Sequence, residues 1–354
     1  MDTKAFIKAL KSIVEEKKIS SDVVWEAMEL ALITAYKKNF DSNTNVKINI
    51  DKETGEIDVI SLKKVVNKVE DPKIEIELLE AQKINPKIKI DEELEEKVTP
   101  KDFGRVAAST AKQVITQKIR EAERESIMEE FKEKEDELMV GIVFREDAFN
   151  YYIDLGRAHG ILPKSEILPN ENIIMGSSLK VYITKVENTS KGPKILLSRT
   201  HYGFVKRLLE LEIPELQEGI VVLYSIAREA GNRSKIALYS EDEKVDPIGA
   251  CIGEKGERIN KIMAELKGEK IDVIQYDRDP IIFIQNALSP AKNVEVHIVD
   301  EREQLAEAIA DGENLSLAIG KKGQNVRLAA RLTKYKIDIR SREEAKEELD
   351  FNEE

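Results

Sequence analysis

Two stretches of the chain are copies of one another, and this repeat constrains the fold more than any other feature. ACIGEKGERINKIMAELKGEKIDVI, from Ala250, aligns with LAIGKKGQNVRLAARLTKYKIDIR, from Leu317. Ile-Gly-x-Lys-Gly falls at 252–256 and again at 319–323, and both copies end in Lys-Ile-Asp, at 270–272 and 336–338. A lone GxxG carries little information, whereas a doubled one with matched flanks specifies two copies of one small domain. Glycine inside a helix costs about 1 kcal/mol relative to alanine, so paired glycines in a helix-compatible run mark a built turn.

Helix, GxxG, helix is a device for holding a nucleic-acid backbone. The glycines remove side chains that would block approach, the following helix offers free N–H groups and the positive end of its dipole, and loop lysines add charge. That is the signature of a KH domain, which clamps about four nucleotides of single-stranded RNA or DNA. The flanking segments agree. IVVLYSIARE and RSKIALYS read as paired strands around an Ala-Gly-Asn turn, and Asp246-Pro247 as a capped helix start. In the second copy VEVHIVD is a strand, and the repeat makes QLAEAIAD a strand too. The order helix, two strands, helix, GxxG, helix, strand is the bacterial-type arrangement.

The second loop supplies the strongest candidate RNA-binding set: Ile319, Gly320, Lys321, Lys322, Gly323 and Gln324. In its following helix, Val326, Ala329, Ala330 and Thr333 lie at core-facing spacing, with Asn325, Arg327 and Arg331 expected to face outward. The first loop supplies Ile252, Gly253, Glu254, Lys255, Gly256 and Arg258, and Glu254 puts a negative charge where a phosphate would pass.

Upstream, MVGIVFRE, NYYIDLG, HGILP, SLKVYITKVE and PKILLSR are short alternating runs broken by Gly, Pro, Asn and Ser clusters, as in a five-stranded OB-type barrel. Such barrels stack bases on aromatics beside basic side chains. The candidates are Phe144, Arg145, Phe149, Tyr151, Tyr152, Arg157 and His159, with strand alternation sending one of the two adjacent tyrosines inward. Before the barrel, AFIKALKSIVEEK and SDVVWEAMELALITAYKKNF have helical spacing, and VKINIDKETGEIDVI reads as a hairpin. A long helix follows Thr99-Pro100, and its second half, REAERESIMEEFKEKEDEL, reads as a solvated connector.

The fold class is therefore multidomain α+β: a helical N-terminal domain with a small sheet and long connector helix, an OB-type barrel and two tandem bacterial-type KH domains. The expected boundaries are 1–136, 137–199, 200–277 and 278–345, with an acidic tail at 346–354. Net charge is −12, yet residues 141–340 carry 29 Lys and Arg against 30 Asp and Glu, so local basic loops remain compatible with phosphate binding. No apolar stretch reaches the roughly 20 residues of a bilayer crossing, and the charged start does not read as a signal peptide. A single cysteine, Cys251, excludes an internal disulfide and any multi-cysteine zinc site. The expectation is a cytoplasmic protein without metal or cofactor, monomeric because no apolar heptad seam is present.

Six stretches carry a resemblance to a known family: TPKDFGRVAASTAKQVITQKIREAERE at 99–125, LGRAHGILPKSEILP at 155–169, KGPKILLSRT at 191–200, AREAGNRSKIAL at 227–238, VDPIGACIGEKGERI at 245–259 and NLSLAIGKKGQNVRLAARLT at 314–333. In this order they resemble the NusA family of bacterial transcription elongation and termination factors. The resemblance implies an amino-terminal domain that docks on RNA polymerase near the flap and RNA exit channel, followed by a continuous RNA surface on barrel and KH domains. It further implies prolonged hairpin-stimulated pausing, assistance to intrinsic termination, and antitermination with other Nus factors. Phe103, Gly104 and Arg105 match a family stretch in the polymerase-docking domain. The family often has tryptophan where this chain has Tyr276.

Phosphorolytic exoribonucleases also carry KH and OB modules, but behind two large catalytic domains and in the reverse order. Nor does the chain contain a GxxxxGK[ST] phosphate loop, and His159, His201 and His297 are too scattered to suggest a metal cluster. A non-enzymatic protein is expected. Residue physics alone leaves open a ribosome-associated or RNA-processing accessory protein without polymerase contact, because these folds specify RNA and not the machine on which it is bound.

Overall fold

The computed structural model describes residues 21–39, 45–52, 54, 56–100, 103–169, 171–190 and 192–344. The first expected helix and the acidic tail lie outside them. The chain forms two compact units, Met1–Ile127 and Met128–Glu354.

In the first unit, α1 (Ser21–Asn39) buries Val24, Trp25, Met28, Leu32 and Tyr36, one stripe at three- and four-residue spacing. The hairpin pairs β1 (Asn45–Ile50) with β2 (Ile57–Val66), and Val46, Ile48 and Ile50 alternate inward. The sheet is larger than a strand pair. β3 (Glu75–Glu77) adds in parallel to β2, α2 (Leu78–Ile84) follows, and β4 (Glu93–Lys97) adds antiparallel to β2. α3 (Phe103–Glu133) lays Phe103, Ala107, Ala111 and Ile115 into the α1–β1 core, with Phe103 edge-on to Tyr36 at 5.7 Å. From residue 116 to 130 no side chain of this helix is fully buried, and Ile119 is the last to pack against that core.

The second unit begins with β5 (Leu138–Glu146), β6 (Asn150–Asp154), β7 (His159–Pro163), β8 (Ser178–Thr189) and β9 (Gly192–Ser198), closed into a barrel in the order β5-β6-β7-β9-β8. The first KH domain follows as α4 (Tyr202–Glu212), α5 (Pro214–Gln217), β10 (Val221–Glu229), β11 (Arg233–Ser240), α6 (Pro247–Ile252), α7 (Glu257–Glu265) and β12 (Lys270–Gln275). The second runs α8 (Pro280–Ala287), β13 (Glu295–Asp300), β14 (Leu305–Ile309), α9 (Gly312–Ile319), α10 (Gln324–Thr333) and β15 (Lys336–Arg340). In each sheet the middle strand pairs antiparallel on one side and parallel on the other. QLAEAIAD thus takes the strand its repeat partner demanded.

The two KH domains share a core. On the middle strand β11, Ile236 and Leu238 face the first domain's own helices, and Ala237 between them faces the second domain. Ala227, Ala237 and Ile274 of the first sheet pack in one cluster with Ile284, Leu328, Ala329 and Leu332 of the second domain. The small alanines let α10 approach β10 closely enough for the Ser225 hydroxyl to donate to the Leu332 carbonyl at 3.0 Å. Stacked rings of Tyr224 and Tyr276, 3.8 Å apart, with Phe283 edge-on at 5.1 Å, brace the link between domains. Tyr276 therefore fills a packing position.

A buried ion network joins barrel to first KH domain. Arg199, at the end of β9 and wholly buried, donates to both Glu171 carboxylate oxygens at 2.7 and 2.8 Å and to Glu265 at 3.2 Å, and lies 4.7 Å over the Phe204 ring. Beside it, buried Glu269 accepts from Arg228, from the Gly231 N–H and from the Ser234 hydroxyl. These buried charges are satisfied by geometry that requires barrel and KH domain to sit together.

Candidate nucleic-acid interface

Both GxxG loops adopt the same backbone. Gly253 (φ 75°, ψ 176°) and Gly320 (φ 74°, ψ 172°) occupy a region open essentially to glycine alone. Lys255 and Lys322, at φ 53°, and then Gly256 and Gly323 turn left-handed before the next helix begins. A Cβ on Gly320 would lie 2.7 Å from the Asn325 Cβ and 2.8 Å from its backbone nitrogen, whereas one on Gly323 would find nothing nearer than 3.9 Å. The first glycine therefore serves internal packing, and the second leaves the outer face of the loop bare. No side chain caps α7 or α10, and the first N–H of each, at Glu257 and Gln324, turns back onto the loop carbonyl of Glu254 and Lys321, so the positive end of each helix dipole faces the loop without a carboxylate cap.

The residue five places after the first glycine locks each loop. Arg258 Nη1 donates to the Ala250 carbonyl at 2.7 Å and to Glu215 at 2.8 Å. Asn325 Nδ2 donates to the carbonyls of Leu317, Ala318 and Leu288 at 3.0, 3.2 and 2.9 Å. Ala250 and Leu317 are equivalent in the repeat, so the two side chains do one job. This corrects the expected outward position of Asn325, which is buried because the end of α9 presents carbonyls that need a donor. The buried face of α10 is Asn325, Leu328, Ala329, Leu332 and Thr333, with Val326 and Ala330 only half-buried. Arg258 likewise is held inside its own domain.

Lys321 and Lys322 are exposed, and neither ammonium has a carboxylate partner among the described residues. Ile319 and Ile252 are also exposed at the loop mouths, with Leu317 beside the former. Arg331 is exposed on α10. In the first loop Glu254 and Lys255 are both exposed, so the local charge cancels. Gln324 and Arg327 are not free: both donate to Glu229, the last residue of β10, at 2.7 Å each. Across 95 and 98 residues of chain, nothing in the sequence signalled that contact.

On the barrel, Phe144, Tyr152 and His159 come together. Phe144 lies 4.6 Å from His159 and 6.4 Å from Tyr152, and the Arg145 guanidinium sits 4.6 Å over the Tyr152 ring. Tyr151 shares the inward face with Ile153 and lies opposite buried Leu162, as alternation requires, but near the start of β6 it is only half-buried under Lys164, and Tyr152 is half-buried on the outer face. The Tyr152 hydroxyl donates to Asp147 at 2.7 Å; with the Phe149 and Asn150 N–H groups it holds that carboxyl down to about 2, fixing the β5–β6 turn. Phe149 protrudes from this turn, 78% exposed, away from the other rings. Arg157 instead pairs with Glu130 at 2.5 Å.

In the first unit Phe103 is 1% exposed, so its side chain is core and presents no surface, while Gly104 and Arg105 are exposed beside it. Among the described residues, no cluster of His, Cys, Asp or Glu is placed to hold a metal and no helix is long and apolar enough to cross a membrane.

An OB barrel with a clustered aromatic surface, followed by two fused KH domains with matched GxxG loops, defines a multi-module RNA-binding protein. Four family models match along the chain: the NusA N-terminal domain at residues 5–125, the S1 RNA binding domain at 132–198, the NusA-like first KH domain at 199–276 and the NusA-like second KH domain at 280–347. Similar full-length proteins, each called transcription termination/antitermination protein NusA, occur in Halalkalibacterium halodurans (52% identity, covering 97% of this chain and 89% of the relative) and Bacillus subtilis (51%, 96% and 91%). The Thermus thermophilus protein of the same name is 40% identical over 96% of this chain and 90% of its own length. The chain belongs to the NusA family of transcription termination and antitermination proteins.

Proposed function

We propose that this chain holds nascent single-stranded RNA on its barrel and KH domains while its amino-terminal unit docks on RNA polymerase, and so modulates pausing, intrinsic termination and antitermination together with other Nus factors. It acts as a cytoplasmic monomer and as a binding factor, not an enzyme. Gly104 and Arg105 belong to the polymerase-facing surface. One observation carries the RNA reading: two ammonium groups, Lys321 and Lys322, with no carboxylate partner among the described residues, stand on a glycine-shaped backbone before a helix without a side-chain cap. The second loop is the stronger grip, since Glu254 offsets Lys255 in the first. Phe144, Tyr152 and His159 offer stacking faces, with Arg145 as the adjacent charge. Docking on polymerase raises the effective RNA concentration, so modest intrinsic affinity suffices.

The test is binding of a labelled unstructured RNA across a salt series. Lys321→Asp with Lys322→Asp is expected to weaken binding at least about tenfold at low salt and to flatten the salt dependence by about 0.7 per lost phosphate contact. Equal affinity and slope for the folded double variant would remove the second loop from the RNA site.

A further inference from the structure

We propose that Glu229 of the first KH domain is a built-in counter-anion for the RNA face of the second, occupying Arg327 and Gln324 until an RNA phosphate displaces it. The inference rests on the RNA-binding reading above.

Glu229 ends β10 and reaches across to the start of α10. Its Oε1 accepts from Arg327 Nε and its Oε2 from Gln324 Nε2, both at 2.7 Å. Gln324 directly follows the second loop glycine, and Arg327 Nη1 also donates to the Lys322 carbonyl at 3.2 Å. The carboxylate thus sits against the end of the GKKG loop where an anion is expected to bind. Arg327 foremost, then Gln324, holds the Glu229 carboxyl below the usual carboxylate range. The neighbouring Arg228 is committed to Glu269 and does not compete for it.

The contact is not what fixes the two domains. That is done by the shared apolar core and the Ser225–Leu332 hydrogen bond, both independent of the Glu229 charge. Arg327 keeps its side chain 45% exposed while Glu229 is 19% exposed, so the guanidinium is reachable from solvent with its counter-ion behind it. The pair is open to solvent on its cationic side, where a phosphate can compete for the guanidinium. Its consequence is selectivity. RNA that fails to engage the loop meets a neutralised Arg327, whereas RNA seated on Lys321 and Lys322 brings a phosphate close enough to take the guanidinium from Glu229.

The test is a double-mutant cycle on the full chain, with affinity for an unstructured single-stranded RNA of mixed sequence measured from low to moderate salt. Glu229→Gln keeps a side chain of similar size and is expected to tighten binding about fivefold and to steepen the salt slope by up to about 0.7, because no displaced carboxylate is left to recapture a cation that the phosphate releases. In an Arg327→Gln background the same substitution should leave the slope unchanged. Glu229→Ala serves as a second variant, and thermal unfolding of each confirms an intact KH pair. An equal gain in both backgrounds would reduce Glu229 to a long-range repulsive charge, and weaker binding by Glu229→Gln would make it a positioning residue; either overturns the proposal. If wild-type protein binds this RNA no better than the Lys321→Asp, Lys322→Asp variant, the RNA reading itself has failed, a result distinct from both.

Discussion

Replacing Arg199 by alanine is expected to destabilise the barrel–KH body by about 3–5 kcal/mol, because it strands a buried carboxylate. Glu171, whose side chain is 1% exposed, has both oxygens on the Arg199 guanidinium, and Glu265 and the Lys180 carbonyl use the remaining donors. Substituting the cation alone leaves the buried Glu171 carboxylate with only the long Leu168 N–H contact at 3.4 Å. In a body of this size the loss should lower Tm by about 10 °C. Exchanging both partners at once, Arg199→Met with Glu171→Leu, should recover much of the stability, since a buried pair replaced by apolar side chains is often close to neutral. Urea unfolding of the three variants separates these cases. A loss below about 1 kcal/mol for Arg199→Ala would mean that Glu171 escapes to solvent and that the network does not fix the joint.

The second large effect is a contrast between two glycines. Gly320→Ala should cost about 3 kcal/mol: its backbone lies in the glycine-only region, and the new Cβ would press on the Asn325 backbone nitrogen, which cannot swing aside. RNA binding should be lost with the loop. Gly323→Ala requires only a left-handed residue, at about 1–2 kcal/mol, and its Cβ meets open space. That methyl group stands on the outer face of the loop, so affinity for RNA should fall well beyond the small change in stability. Chemical denaturation and RNA titration of both variants give the answer. If Gly323→Ala binds RNA as wild type does, the bare face of the second glycine is not where the backbone approaches.

Much of this architecture was legible because it rests on patterns with a clear period. The doubled Ile-Gly-x-Lys-Gly gave both KH domains and settled Leu305–Ile309 as a strand, which its own alanine-rich composition left ambiguous. The barrel strands showed their alternation. β3 and β4 showed none: EIE and ELEEK bury one residue each, Ile76 and Leu94, too little for a period to appear. Asn325 was misplaced because a polar residue on a helix reads as solvent-facing unless the carbonyls it must satisfy are known. The shared offset of five residues from Gly253 to Arg258 and from Gly320 to Asn325 was the available signal, since equal positions in a repeat tend to carry equal duties. Phe103 followed the same logic in reverse, a family-matched aromatic that serves the core. Glu229 left no trace in sequence, because its partners belong to another domain.

The most direct measurement of the central claim is the dwell time of cognate RNA polymerase at a hairpin-stabilised pause, with no factor, with wild-type protein and with the Lys321→Asp, Lys322→Asp variant. The account predicts a longer dwell with wild type that shortens towards the factor-free value with the variant. An unchanged dwell with saturating, folded wild-type protein would contradict it and place this RNA-binding chain on some other machine.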